Sequence, residues 1–312
     1  MKQFYFTLSI FLLFVSCQKE FDVTPKYSGF KTDLEAKNIF NNVKKLQQFR
    51  ANVDTLNTSK TDKPVPIFSE TYTAIGNIEN TEYFDFFGKT QQTVNIVYDS
   101  NNNVIKSTTR STVFPEHMVK SIVRDSINKK EIQTIIINDS LFSEIISTYN
   151  TKDKIIEQLK INKQDTVKTT YSYNTKNQLT KESILENKTT VVNIYSYNSN
   201  GNITESINGS NYFRIKTTYT YNNNRISKIT EHNIARDGKE YLMSEIIYDR
   251  YFNPIKEKHY ENNILKEELK IAYNFDTIGN WVKKTVALKS HTSNSKKFIP
   301  IYVETRSLTY WE

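Results

Sequence analysis

The four histidines have the widest chemical range of any side chains in this sequence, because an imidazole can carry a proton or bind a metal ion. They are His117, His232, His259 and His291. His232 and His259 each lie eleven residues after a tyrosine of a recurring pattern, so they occupy the same slot in neighbouring copies. Such slots in adjacent β-hairpins lie about 9.5 Å apart, whereas two imidazoles on one zinc need nitrogens within about 4 Å. The sequence predicts no metal site and no cofactor.

The other polar residues do not predict catalysis. The chain contains no Gly-x-Ser-x-Gly, His-Glu-x-x-His or phosphate-loop motif, the local signatures of common hydrolases, metalloproteases and nucleotide-binding proteins. Acidic residues are scattered, and no spacing forces two carboxylates together as a glycosidase requires. We therefore expect a protein that is not an enzyme.

Cys17 is the single cysteine of the chain, so it cannot form an intramolecular disulfide. It follows an apolar run, Phe4 to Val15, that is too short to span a bilayer and is typical of a secretory signal. The stretch Val15-Ser16-Cys17 resembles the lipobox of bacterial lipoproteins. This resemblance implies that residues 1–16 are a signal peptide and that Cys17 carries the lipid, including palmitate-type acyl chains. An ordinary signal peptide with an incidental cysteine is the alternative.

The residues that follow, Gln18-Lys19-Glu20-Phe21-Asp22, favour the outer membrane. No aspartate directly follows the cysteine, which is the usual signal for retention in the inner membrane. The stretch also resembles the short Gln-Lys-acidic tag that directs some lipoproteins to the outer face of Gram-negative cells. The resemblance implies an anchor in the bacterial outer membrane with the protein at the cell surface; the periplasmic face is the alternative.

The short pattern Asp-Ser/Thr-aliphatic occurs more often than the composition predicts. Composition alone would give about one occurrence. Its hydroxyl residues are Thr55, Ser126, Ser140, Thr166 and Thr277. The pattern resembles the acceptor of a general O-glycosylation system in some Gram-negative bacteria, which implies solvent-exposed acceptor hydroxyls. At Thr277 the alternative is that the aspartate is needed by a turn.

The composition favours strands and disfavours several classes of protein. Among 312 residues there are 20 Tyr and 18 Phe but only 7 Gly and 6 Pro, and abundant aromatics separated by polar residues favour strands. A mean hydropathy of -0.60 excludes a polytopic membrane protein. Without residues 1–16 the net charge is +7. The charges are interspersed, so nucleic acid is not expected as a partner.

One decapeptide pattern recurs along the chain and is clearest in YSYNSNGNIT at 195–204. Further copies are YSYNTKNQLT at 171–180, YTYNNNRIS at 219–227 and YNFDTIGNWV at 273–282, with looser copies at 96–105, 147–156 and 246–255. The second aromatic of each copy, here called the repeat aromatic, is found at Tyr98, Tyr149, Tyr173, Tyr197, Tyr221, Tyr248 and Phe275. From Tyr149 onward the steps are 24 to 27 residues, and such a period is typical of a repeat architecture.

Each unit has the length and pattern of a β-hairpin. Tyr171 and Tyr173 are two residues apart, so on a strand they share a face. The Asn-rich segment that follows can form a tight turn, and a second alternating segment then returns. Two strands of about eight residues with their turns account for about 24 residues. Helices are disfavoured because β-branched residues and Asn clusters interrupt every stretch.

These residues resemble the YD repeats of the Rhs family over about residues 80–290, and the layout resembles small envelope lipoproteins with a few such repeats. We expect an all-β protein with one curved antiparallel meander of repeated hairpins, either an open sheet or a half-barrel. The expected organisation is a signal peptide at 1–16, a lipid-anchored tether at 17–42 and a repeat domain at 43–312. A strand is expected over about 43–53, although Thr32-Asp33-Leu34-Glu35 fits a helix capping box.

The aromatic turns are the candidate contact residues. Aromatic rings can stack on sugar rings while neighbouring Asn, Thr and Lys hydrogen-bond hydroxyls. The paired strand tyrosines are better explained by packing, whereas Tyr251 and Phe252 lie in a turn and are the expected ligand contacts. The expected function is a non-catalytic module that binds polysaccharide or an envelope or host protein. A structural or protective lipoprotein, such as an immunity protein against a delivered toxin, is the alternative.

Overall fold

The computed structural model describes residues 32–311, apart from residue 38 and the segments 55–60, 114–116, 164, 211–212 and 293–296. Cys17, Thr55 and the predicted signal peptide therefore lie outside the described residues. Within the described part of the chain, no helix has the length and hydropathy of a transmembrane span.

The described chain is almost entirely β-structure, with one short helix, α1 (Asp33–Ala36), ahead of the first strand. The strands are β1 Val43–Asn52, β2 Val65–Tyr72, β3 Ile78–Phe84, β4 Thr90–Tyr98, β5 Val104–Ser111, β6 His117–Asp125, β7 Lys130–Ile137, β8 Ser140–Tyr149, β9 Ile155–Asn162, β10 Thr166–Tyr173, β11 Leu179–Glu186, β12 Thr189–Tyr197, β13 Ile203–Gly209, β14 Arg214–Asn222, β15 Arg225–Ile234, β16 Glu240–Tyr248, β17 Pro254–Glu261, β18 Ile264–Phe275, β19 Trp281–Ser290 and β20 Ile299–Tyr310.

The strands close into a 20-stranded antiparallel barrel, which corrects the expected open sheet or half-barrel. Every strand pairs with its neighbours in sequence, and β1 pairs with both β2 and β20. The β1–β20 ladder runs from Val43 opposite Tyr310 to Asn52 opposite Tyr302. The expected antiparallel meander is present, but its two outer strands pair with each other and leave no open edge.

The connections lie at two ends of the barrel because the meander alternates direction. We call the end formed by connections after even-numbered strands the upper rim, and the other end the lower rim. Most upper-rim connections are five-residue loops such as 99–103 and 198–202. The first loop residue caps the loop: Asp99 Oδ1 accepts hydrogen bonds from the backbone N–H groups of Asn101 at 2.9 Å and Asn103 at 2.8 Å. This explains the Asp or Asn after each repeat aromatic.

The fourth loop residue adopts a positive φ in these loops. Glycine fills this position at Gly201 (φ 86°) and Gly279 (φ 102°), and asparagine fills it at Asn102 (φ 62°) and Asn177 (φ 60°). These residue types tolerate the left-handed region better than other side chains do. The loop therefore needs Asx at its first position and Gly or Asn at its fourth, which is the pattern of the sequence repeat.

The repeat tyrosines lie on one face of the sheet, here called the tyrosine face. Four of them donate a hydrogen bond from the phenol to the backbone carbonyl of the first residue of the preceding return strand: Tyr98 to Ile78 at 2.6 Å, Tyr173 to Ile155 at 2.7 Å, Tyr197 to Leu179 at 2.6 Å and Tyr221 to Ile203 at 2.7 Å. We call this contact the tyrosine lock. Each lock joins the first residue of a return strand to the end of the next strand, so consecutive hairpins are held in register.

A register shift accompanies the repeat aromatics. The pairing shifts between Ser172 and Tyr173, between Ser196 and Tyr197, and in the same way at the other copies. A β-bulge increases the local right-handed twist and bends the strand. Repeating it once per hairpin supplies curvature that a closed sheet needs.

The segment before β1 packs against the upper rim, although the sequence assigned residues 17–42 to a tether. Thr32 Oγ1 accepts a hydrogen bond from the Glu35 backbone N–H at 3.2 Å and caps α1. Phe40 exchanges hydrogen bonds with the Asn280 side chain, at 2.7 Å and 2.9 Å. The core beneath is formed by buried side chains of this segment, β1 and β2: Leu34, Ile39, Val43, Leu46 and Tyr72.

Buried charges lie where the barrel closes. Glu304 of β20 is 1% exposed; it accepts a hydrogen bond from Arg50 Nε at 3.0 Å and lies 2.5 Å from the Lys284 ammonium. The guanidinium of Arg306 lies 3.5 Å from the ring centroid of Trp281. Burial lowers the pKa of Arg306 to about 10. These contacts join β1, β19 and β20 across the closing ladder.

Candidate functional site

A pocket of about 410 Å³ opens at the upper rim between β14–β15 and β16–β17. Its lining residues are Asn222, Asn223, Arg225, Ile226, Ser227, Tyr248, Asp249, Arg250 and Tyr251. The pocket exists because the β14–β15 connection is short: Asn223 and Asn224 form a two-residue turn with φ of 50° and 61°. A shorter neighbour leaves one side of the β16–β17 loop uncovered.

The short turn also removes a tyrosine lock. The repeat aromatic next to this turn is Tyr248, and among the described residues its hydroxyl has no hydrogen-bond partner. Burial, together with the carboxylates of Glu257 and Glu231, raises the pKa of Tyr248 to about 12. The phenol at the pocket wall is therefore neutral and keeps its proton for donation.

Phe252 holds the Tyr248 ring in place. The two rings stack with centroids 4.7 Å apart and an interplanar angle of 12°. Phe252 occupies the fourth loop position with φ of 64°, where the other five-residue loops have Gly, Asn or Asp. A bulky residue in this region costs about 1–2 kcal/mol, and retained strain of this kind is a feature of functional sites. Phe252 is not among the lining residues and contacts the pocket through its stack on Tyr248.

Tyr251 and two arginines also line the pocket. The guanidinium of Arg250 lies 4.6 Å from the Tyr251 ring centroid, and Tyr251 also contacts Phe275 at 5.9 Å between centroids. Arg225 Nη1 donates a hydrogen bond to the Arg250 carbonyl at 2.7 Å, which joins the two connections. Of the two turn residues predicted as ligand contacts, Tyr251 thus lines the pocket and Phe252 supports it.

The pocket carries a net positive charge. Asp249 is its only carboxylate, and this group is occupied within its own loop: it accepts hydrogen bonds from the backbone N–H groups of Tyr251 and Asn253, each at 2.8 Å, and from Asn253 Nδ2 at 3.1 Å. Across the described part of the chain, neither Arg225 nor Arg250 forms an ion pair with a carboxylate.

A second pocket, of about 230 Å³, lies beside the other shortened upper-rim turn, 126–129. Here the charges balance, with three cations and three carboxylates in the lining: Lys129 Nζ lies 2.8 Å from Asp153 Oδ1, and Arg124 Nε lies 2.8 Å from Glu131 Oε2. Because its lining carries no net charge, this pocket is the weaker candidate. Both pockets therefore lie beside a shortened turn, and they differ in the charge of their lining residues.

The predicted acceptor hydroxyls are dispersed. Ser126 and Thr277 lie in upper-rim connections, whereas Ser140 and Thr166 begin strands at the lower rim, and all four are exposed. In three of the patterns the aliphatic residue is also exposed: Ile127 by 90%, Leu141 by 55% and Ile278 by 40%. Asp125 and Asp276 accept backbone hydrogen bonds in their turns, so these aspartates have a structural role as well.

The histidines that share a sequence slot lie on opposite faces of the sheet. His259 pairs with Ser244, which pairs with Glu231 on the tyrosine face, so the adjacent His232 faces the other way. Four residues separate Tyr221 from its pairing partner Ile226, whereas five separate Tyr248 from its partner Pro254. A shift of one residue reverses the face. Within the described residues no group of His, Cys, Asp and Glu could hold a metal ion.

Sequence reasoning missed Arg225 and Arg250. The signal was present in the copies themselves: four residues separate Tyr221 from Ile226, whereas five separate the repeat aromatic from the following aliphatic in the other clear copies. A deletion in a rim turn indicates a gap beside the next loop, and both arginines lie at that gap.

Comparison with known proteins gives structural similarities of limited extent. No family model matches the chain, and no curated protein matches it. A porin-like protein from Bacteroides uniformis is similar, with a TM-score of 0.34, 11% identity, and coverage of 86% of this chain and 96% of the other. A second porin-like protein, from Bacteroides vulgatus, has a TM-score of 0.26 and 10% identity over 72% of this chain and 96% of the other. The TcdB2-TccC3 complex without its hypervariable C-terminal region has a TM-score of 0.38 and 12% identity; the match covers 84% of this chain and 18% of the much longer one.

Proposed function

We propose that this protein is a non-catalytic binding module, anchored by lipid on Cys17 in the outer membrane and exposed at the cell surface, whose upper-rim pocket binds a glycan or an envelope or host protein. The observation that carries the proposal is the pocket of about 410 Å³, which is lined by Tyr248, Tyr251 and two arginines without carboxylate partners among the described residues. Its size lies within the range of small-molecule sites, and a few polar groups beside aromatic walls are typical of them.

The strands support attachment through a lipid. In β10 the residues opposite the tyrosine face are Lys168, Thr170 and Ser172, all exposed, so both faces of this strand carry hydrophilic groups. In β14 the corresponding positions are Lys216, Thr218 and Thr220. Such surfaces suit a domain in water that is joined to a bilayer by acyl chains on Cys17.

The binding proposal is tested with the lipid-free form that begins at Gln18. Glycan-array screening and pull-down from envelope fractions are expected to give a ligand that Tyr251→Ala weakens by at least tenfold. Tyr241→Ala, a change on β16 outside the pocket, is the matched control and is expected to leave binding unchanged. A wild-type protein that is silent in both screens, or binding that Tyr251→Ala leaves intact, contradicts the proposal.

The anchor, the orientation and the glycosylation have separate tests. Palmitate labelling of cells is expected to be lost in Cys17→Ala, and labelling that persists would refute the anchor.

Protease treatment of intact cells is expected to remove the protein if it is at the surface. We further propose that at least one of Thr55, Ser126, Ser140, Thr166 and Thr277 carries a glycan, which the intact mass of the cell-derived protein would show. A mass equal to that of the unmodified chain contradicts this.

A further inference from the structure

We infer that the upper-rim pocket selects acidic saccharides, with a sugar carboxylate held by Arg225 and Arg250 and a sugar ring against Tyr251. This inference rests on the proposed binding function and names the chemical class of its ligand. Two arginines, Arg225 and Arg250, line one pocket with a single carboxylate, Asp249. Arg225 Nη1 donates a hydrogen bond to the backbone carbonyl of Arg250 at 2.7 Å, which connects the two residues.

The two rim pockets differ in charge. The smaller pocket is lined by three cations and three carboxylates, and two of these cations are paired, in Lys129–Asp153 and Arg124–Glu131. In the larger pocket the one carboxylate, Asp249, is occupied by three hydrogen bonds within its own loop. A planar guanidinium forms bidentate hydrogen bonds with a carboxylate, so a carboxylate from a ligand would supply what the protein itself does not.

The aromatic rings of the pocket are held by their neighbours. The Arg250 guanidinium lies 4.6 Å and the Phe275 ring centroid 5.9 Å from the Tyr251 ring centroid, and the Tyr248 ring stacks on Phe252. The Tyr248 hydroxyl, which has no partner among the described residues, can donate to a sugar hydroxyl. A ligand with a flat apolar ring surface, hydroxyl groups and one carboxylate per residue meets all three features, which a simple inorganic anion does not.

The test uses two probes with the same backbone, tetragalacturonate and its fully methyl-esterified form, titrated by calorimetry into the form that begins at Gln18. The acidic probe is expected to bind at least tenfold more tightly than the ester. Arg225→Gln and Arg250→Gln are each expected to reduce this ratio toward one, and Arg236→Gln, an exposed arginine in the lower-rim loop 235–239, is expected to leave it unchanged. Having two arginine variants keeps the test valid if one of them fails to fold.

Substitutions of Tyr251, and of Phe252, which positions Tyr248, are expected to affect binding differently from the arginine substitutions. Tyr251→Ala and Phe252→Gly are expected to weaken both probes by a similar factor and to keep the acid-to-ester ratio. Equal binding of acid and ester, a ratio that survives both arginine changes, or no binding of the acidic probe each overturns this inference. In any of these cases a neutral glycan or a protein found in the screens would still support the proposed binding function, so the two failures are distinguishable.

Discussion

Tyr197 shows what a single residue of the repeat contributes. Its ring lies on the tyrosine face, and its hydroxyl donates to the Leu179 carbonyl at 2.6 Å. Burial raises its pKa to about 12, which keeps the donor protonated. Leu179 is 4% exposed, so the lock secures the backbone at the point where the apolar residue of the preceding return strand is buried. The hydroxyl of Tyr197 is therefore the part of the side chain that makes this contact.

We expect Tyr197→Phe to lower the free energy of unfolding by about 0.5–1.5 kcal/mol, because a hydrogen bond to a partly buried carbonyl is lost while the ring is kept. Chemical denaturation measures this. Tyr241→Phe is the control, since its hydroxyl has no hydrogen bond among the described residues, and it is expected to change stability by less than about 0.5 kcal/mol. Equal effects of the two substitutions would show that the lock is not stabilising.

At the scale of the element, the length of each connection decides what the hairpin presents. A five-residue loop places its return strand so that the next tyrosine lock can form, whereas the two-residue turn at Asn223 and Asn224 leaves the Tyr248 hydroxyl without that bond. The residues between the repeat aromatic and its pairing partner number four for Tyr221–Ile226 and five for Tyr248–Pro254, and this difference puts His232 and His259 on opposite faces. Loop length therefore changes both the local contacts and the side of the sheet on which later residues lie.

Gly209, at the end of β13, tests how tightly one connection is built. Its φ is 142°, and a Cβ at this position would lie 2.1 Å from the Phe213 carbonyl oxygen. Gly209→Ala is expected to cost at least about 2 kcal/mol, because backbone atoms must move. Gly238→Ala is the matched control: its φ is 84° with nothing within 4 Å of the added Cβ, and it is expected to cost about 1 kcal/mol from φ alone. Thermal melts of the two variants compare them directly, and equal costs would contradict the predicted clash.

At the scale of the whole molecule, the buried tyrosines make stability depend on pH. Burial raises the pKa of Tyr149, Tyr197, Tyr221 and Tyr248 to about 12, whereas a tyrosine in an unfolded chain titrates near 10. Above about pH 10 the unfolded chain loses these protons first, so raising the pH favours unfolding. The stabilisation is complete below about pH 10 and is lost as the pH rises toward about 12.

The expected result is a denaturation midpoint that is constant between about pH 7 and 9 and falls steeply from about pH 10 upward. Ultraviolet absorbance of tyrosinate, followed in the same samples, is expected to rise together with the loss of strand signal in circular dichroism. If most tyrosines ionise near pH 10 in a protein that remains folded, the burial argument is wrong.

The hairpins could be predicted from sequence because their signals are local. Alternation in segments such as 171–173, the Asx residue after each repeat aromatic, and Gly or Asn three residues further on all act within one loop. The closure could not be predicted in this way. It depends on β1 pairing with β20, more than 250 residues away, and nothing in either strand alone distinguishes a closed sheet from an open one. In the pocket, Tyr251 could be predicted from the sequence because it is an aromatic residue in a turn. Arg225 could be predicted only from the one-residue shortening of its copy of the repeat.

The pairing of the first strand with the last has a consequence for biogenesis. Until β20 is available, β1 and β19 each expose a row of unpaired backbone donors and acceptors, and such edges invite association with other chains. A chain truncated before Ile299 is therefore expected to aggregate even though nineteen of its twenty strands are intact. The barrel can therefore close only after all twelve residues of β20 are free to pair with β1.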